Sequence, residues 1–89
     1  MKQRSFVKVL NSWIEDVDFS NCECGPAIAS FNLTKARLSL WWEKGASAEI
    51  KVDDMIVVPQ EDKLFVRVWG RRGKHECRFD LEMQKFYLH

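Results

Sequence analysis

Residues 74–83 read KHECRFDLEM, polar and apolar side chains alternating almost without a break. Successive side chains of a strand point to opposite faces, so a period of two predicts a half-buried β-strand. Leu64 to Trp69 reaches this segment through Gly70-Arg71-Arg72-Gly73, which predicts an antiparallel hairpin with Trp69 opposite Lys74. In that register Val68, Val66 and Leu64 meet His75, Cys77 and Phe79 on an apolar face. Arg67, Phe65 and Lys63 meet Glu76, Arg78 and Asp80 on a charged face that also carries aromatics.

The start of the chain has a different spacing. Phe6, Val9, Leu10, Trp13, Ile14 and Val17 recur at the interval of one helix face, with Lys8, Asn11, Ser12, Glu15 and Asp16 opposite, which predicts a helix over about 5–17. Residues 5–10 also suit a strand, but the longer periodic stripe favours the helix. A loop follows over 18–26 (DFSNCECGP), closed by Gly25-Pro26.

From Ala27 each pair of segments folds as a hairpin that keeps one face apolar. A turn at Thr34-Lys35 sets Phe31, Ala29 and Ala27 against Leu38, Leu40 and Trp42. A loop at Lys44-Gly45-Ala46 sets Leu40 against Ile50 and Leu38 against Val52. Parity breaks at Asp53-Asp54, which predicts a bulge, and Met55-Ile56-Val57-Val58 then reads as a strand buried on both faces. Pro59 to Asp62 turns into the last hairpin, and Phe86, Tyr87 and Leu88 extend or cap its end. The expected fold is a single α+β domain over 1–89, an amphipathic helix on a five-stranded antiparallel meander spanning 27–88. The alternative is a small rolled sheet or barrel.

Length and composition narrow the function classes. At 89 residues, 46% hydrophobic and 30% charged, the chain suits one ordinary core and leaves little room for a deep catalytic cavity. A net charge of +1 supplies no general attraction for nucleic acid. The charge is unevenly placed: 67–78 holds Arg67, Arg71, Arg72, Lys74 and Arg78 against Glu76, while 43–62 is acidic. Lys8 and Asn11 interrupt any signal-peptide core, and no apolar run reaches membrane-spanning length. Three cysteines make an odd number for a disulfide framework, so free thiols and a cytoplasmic location are expected.

Candidate chemistry is sparse. Cys22, Cys24, His75 and Cys77 are the residue types of a zinc site, but one-residue gaps are shorter than the usual ligand spacing. A Cys77 nucleophile beside His75 lacks an orienting acid and an oxyanion turn. Asp53 and Asp54 read as bulge residues, since strand neighbours face opposite ways. No catalytic residue, metal or cofactor is therefore assigned.

The outer sheet face offers more. Trp41, Phe65 and Trp69 stand there among Arg37, Arg67, Lys74 and Arg78, with Arg71-Arg72 forming a basic tip. Exposed Trp and Arg are what protein interfaces favour, while rings among guanidinium groups also suit stacked bases and phosphates. The expected function is a non-enzymatic protein-binding module, of inhibitor, adaptor or immunity type, with self-association included and no membrane contact. Its binding residues are Trp41, Phe65, Arg67, Trp69, Arg71, Arg72, Lys74 and Arg78. The rival is a single-stranded nucleic-acid-binding module using the same face and tip.

Overall fold

The computed structural model describes residues 3–14 and 24–84. Six strands follow one another: β1 (Gln3–Ile14), β2 (Gly25–Asn32), β3 (Arg37–Trp42), β4 (Ser47–Pro59), β5 (Lys63–Arg72) and β6 (His75–Gln84). All neighbours are antiparallel, and β6 returns to β1 to close a barrel. The expected helix over 5–17 is thus corrected to a strand as far as Ile14, and the α+β sheet to the all-β barrel that was its alternative. Val17 and the loop residues 18–23, with Cys22, lie outside the described residues, as do Phe86, Tyr87 and Leu88.

Two alternating patterns joined by a bulge account for the false helical stripe. Ser5, Val7 and Val9 are buried, while Phe6, Leu10 and Trp13 are 54%, 39% and 37% exposed. The register to β6 slips between Val9 and Asn11, so Ile14 returns to the core beside Cys77 although it lies an odd number of residues after Val9. Inserting one extra residue into a period of two mimics the i, i+3, i+4, i+7 spacing. As a strand, β1 also pairs its backbone on both sides, with β2 and with β6, and so closes a sheet that would otherwise end in open edges.

β1 and β4 are the long strands, and each changes partner midway. β1 pairs with β2 through residues 3–9 and with β6 through 7–14. β4 pairs with β3 through 47–51 and with β5 through 51–59, slipping register between Val52 and Asp54. The barrel is therefore two four-stranded layers hinged at two bulged corners, the usual way in which a strand passes from one sheet to the next. Between the layers Leu38, Leu40, Ile50, Phe79 and Leu81 are almost completely buried. Each such side chain contributes about 1.5–3 kcal/mol by leaving water. Ala27, Ala29 and Ala48 stand in this core, where the small side chains let the layers approach, while Ala36 lies in a turn at φ 52°.

The hairpin of β2 and β3 has the expected register, Ala27, Ala29 and Phe31 facing Trp42, Leu40 and Leu38. Its turn is held by Asn32, whose Oδ1 accepts from the Lys35 N–H at 3.0 Å. The other registers need correction. Leu40 faces Ala48 and Leu38 faces Ile50, because the β3–β4 loop is Glu43-Lys44-Gly45 with Gly45 at φ 91°. The Gly45 N–H donates to the Trp42 carbonyl at 3.0 Å, and the Trp42 N–H to Ala46 at 2.9 Å.

In the last hairpin Arg72 faces His75, Gly70 faces Cys77 and Val68 faces Phe79. Its turn is at Gly73-Lys74, with Gly73 at φ 62°, and Gly70 stays inside the strand. The shift is even, so the apolar face keeps Val66, Val68, Cys77 and Phe79. The bulge at Asp53-Asp54 is present, but burial of 55–58 on both faces is not: Met55 and Val57 pack against the core while Ile56 and Val58 are half exposed. A barrel has one inside, and nothing described covers the outer side of this strand.

Candidate protein-binding surface

The layer made from β4, β5, β6 and β1 carries the candidate site on its outer face. Three transverse rows follow from the pairing. Val58, Phe65, Glu82 and Lys8 form one row, and Ile56, Arg67, Asp80 and Asn11 the next. Asp54, Trp69, Arg78 and Trp13 form the third. Phe65, Arg67, Trp69 and Arg78 thus share one surface, as the alternation required.

Three other expected members sit elsewhere. Trp41 faces Ser47 at the start of β4, whereas Trp69 faces Asp54, roughly 20 Å further along that strand at about 3.3 Å per residue. Arg72 follows the inward parity of Gly70 at the barrel mouth, and Lys74 is exposed in the turn. Arg71 points outward but occupies the row beyond Trp69, opposite Lys51.

The cations of this face are largely engaged. Arg67 donates to Asp80 through Nε at 2.8 Å and through Nη2 at 3.3 Å, a two-pronged pair. That hydrogen bond, reinforced by the carboxylate charge, raises the Arg67 pKa above its ordinary value. The Arg67 guanidinium also lies 5.9 Å from the centre of the Trp69 ring. Arg78 Nε is 3.8 Å from the same Asp80 carboxylate. Lys63 meets Glu82 at 3.1 Å, and Arg71 meets Asp53 at 3.2 Å. On the other layer Arg37 meets Glu49 at 2.7 Å.

Above the Arg67–Asp80 pair lies a cleft of about 300 Å³, walled by Leu10, Ile56, Val58 and Phe65. Leu10 enters it because it keeps the outward parity of Phe6 and Lys8, and the bulge that follows puts Asn11 on the same face. Sequence reasoning missed Leu10, Ile56 and Val58. The first was absorbed into the helical stripe, the other two into a strand taken as doubly buried. It also missed a ridge on the opposite layer, where Phe6 pairs with Ile28 and Ile28 with Trp41, all three well exposed. The usable signal was the count of large apolar residues, more than one face of so small a core accepts.

The thiol and imidazole candidates separate. Cys77 is buried opposite Gly70, and burial pushes its pKa up to about 11 against the opposing charge of Arg72. His75 is exposed at the tip opposite Arg72, which corrects its expected place in the core. Cys24 is in a disulfide, so the expectation of three free thiols is corrected as well. Among the described residues no three His, Cys, Asp or Glu side chains cluster closely enough to hold a metal ion. Compared with protein-family models, curated proteins and solved structures, the chain matches none.

Proposed function

We propose that this protein is a small, non-enzymatic binding module that recognises another protein through the outer face of the β4–β5–β6–β1 layer. One observation carries the reading: Arg67 there is paired with Asp80, and exposed Leu10, Ile56 and Val58 with half-buried Phe65 stand around the pair. Apolar anchors with aromatic and Arg neighbours, over charges that are already satisfied, can shed water at low cost when a complementary surface arrives. Free phosphate ligands would have to displace Asp80, Asp53 and Glu82 from the same cations, which weighs against the nucleic-acid alternative. Inhibitor, adaptor and immunity-type roles all use such a surface.

The test is affinity capture from the source cells with the wild type and with Ile56→Ser/Phe65→Ser. Both side chains lie on the outer face, so the double variant keeps its far-UV circular dichroism and loses the protein that the wild type enriches. An identical set of captured proteins for the two would refute the assignment.

A further inference from the structure

The charges around the apolar cleft do not balance. Asp80 accepts from Arg67 at 2.8 Å and 3.3 Å, and Arg78 reaches the same carboxylate only at 3.8 Å. Glu82 is taken by Lys63 at 3.1 Å, although exposed Lys8 is its neighbour across the strands. Among the described residues no other carboxylate pairs with Arg78, and none pairs with Lys8. The remaining acid of the three rows, Asp54, stands in the row of Arg78 with Trp69 between them, and its Oδ1 accepts from the Met55 N–H at 2.8 Å. Asp53 is held by Arg71, and Glu61 and Asp62 belong to the turn beyond Lys63, at the opposite end of β5 from the row of Arg78. Arg78 and Lys8 therefore keep donors for an incoming acceptor.

Their spacing says what kind of ligand can use both. Lys8 lies opposite Glu82, four residues from Arg78 on β6, so the two cations are offset by about 13 Å along the strands at about 3.3 Å per residue. The cleft lies between them, with Leu10 as its β1 wall and Asp80 beneath. In an extended segment the side chains i−2, i and i+2 share a face, and the outer two are likewise about 13 Å apart. An apolar side chain at i then enters the cleft while acids at i−2 and i+2 reach the two cations. A cleft of about 300 Å³ admits a phenyl ring, since a cavity of about 150 Å³ holds benzene. Two cations are few for a phosphate backbone, whose binding rests on many such contacts.

We propose that the partner presents to this face an extended segment with acids two residues before and two after an apolar one, the apolar side chain in the cleft and the carboxylates on Arg78 and Lys8. This rests on the face-binding reading and names the chemistry of the segment recognised. Trp69 and Trp13 flank Arg78 in the third row, so the carboxylate there pairs in partly apolar surroundings, where its attraction is stronger than in open water.

Three acetylated, amidated pentapeptides test it by methyl NMR of the protein: EAFAE, the neutral QAFAQ and the basic KAFAK. EAFAE shifts the methyls of Leu10, Ile56 and Val58 with a Kd on the order of 1 mM at low salt, as suits so small a ligand. It binds at least about fivefold tighter than QAFAQ, a preference that fades as salt is added, and KAFAK binds weakest. Arg78→Gln/Lys8→Gln removes the preference with far-UV circular dichroism unchanged, whereas Arg78→Lys keeps it. Equal binding of EAFAE and QAFAQ by the wild type, or a preference for KAFAK, overturns the proposal whatever the variants do. So does a preference that survives Arg78→Gln/Lys8→Gln, hexathymidylate binding tighter than EAFAE, or methyls that EAFAE leaves unmoved at about 10 mM. If the acid preference fails while Ile56→Ser/Phe65→Ser still loses its captured protein, the face-binding reading stands without an acidic partner.

Discussion

Gly70 and Gly73 bracket the same two arginines, and the structure uses them for unrelated purposes. Gly73 turns the hairpin at φ 62° in open space, while a Cβ on Gly70 would fall on the Lys51 carbonyl oxygen where β4 bulges. Gly73→Ala should therefore cost about 1 kcal/mol for its left-handed backbone, and Gly70→Ala about 3 kcal/mol because backbone must move, as read by urea unfolding. Equal costs would mean that the close approach is not there. Cys77 carries a second prediction. Its folded pKa is raised, so the unfolded thiol loses its proton first; the contribution to stability is complete below the ordinary pKa of 9.0 and disappears as pH rises toward about 11. Unfolding midpoints of wild type and Cys77→Ala followed from pH 7 to pH 11 should converge or cross toward the alkaline end, and parallel curves would contradict the burial. Phe65, Arg67, Trp69 and Arg78 were legible from alternation alone, because an even register error leaves every side chain on its face. Trp41 and Arg72 were not, since their neighbours depend on which strands meet and where the turn falls.

The elements were legible wherever one face stayed inside from end to end. β2 and β3 keep a single parity and their pairing follows from the sequence; the parity break at Asp53-Asp54 gave the β4 bulge as well, though not the exposure of Ile56 and Val58 beyond it, whereas β1 was read as a helix across its bulge. A bulge occurs where a strand must leave one partner for another; it shows in the sequence where polar residues break the parity, as at Asp53-Asp54, and is hidden where an apolar residue fills the extra position, as at Leu10. The strand assignment of β1 is open to direct trial. Val7→Ala removes a fully buried side chain and should cost about 2 kcal/mol, while Leu10→Ser, on the outside, should stay within about 0.5 kcal/mol in denaturant unfolding. In the helix expected over 5–17 the order reverses, because Leu10 belongs to its buried stripe and Val7 does not.

At the scale of the whole molecule, closure of the barrel decides what the surface can do. Among the described residues the core side chains turn inward, and two apolar areas on the outside face away from each other: the cleft beside Arg67 and the Phe6–Ile28–Trp41 ridge. With most outer arginines held by carboxylates, single-stranded oligonucleotides should leave Trp fluorescence unchanged at physiological salt; quenching that fades as salt is raised would revive nucleic-acid binding. Photo-crosslinking in the source cells from benzoylphenylalanine at position 65, with position 49 on the opposite layer as control, addresses the claim of recognition most directly. The account predicts a discrete protein adduct from position 65 that is absent from position 49; nucleic-acid adducts from position 65, or the same products from both positions, would contradict it.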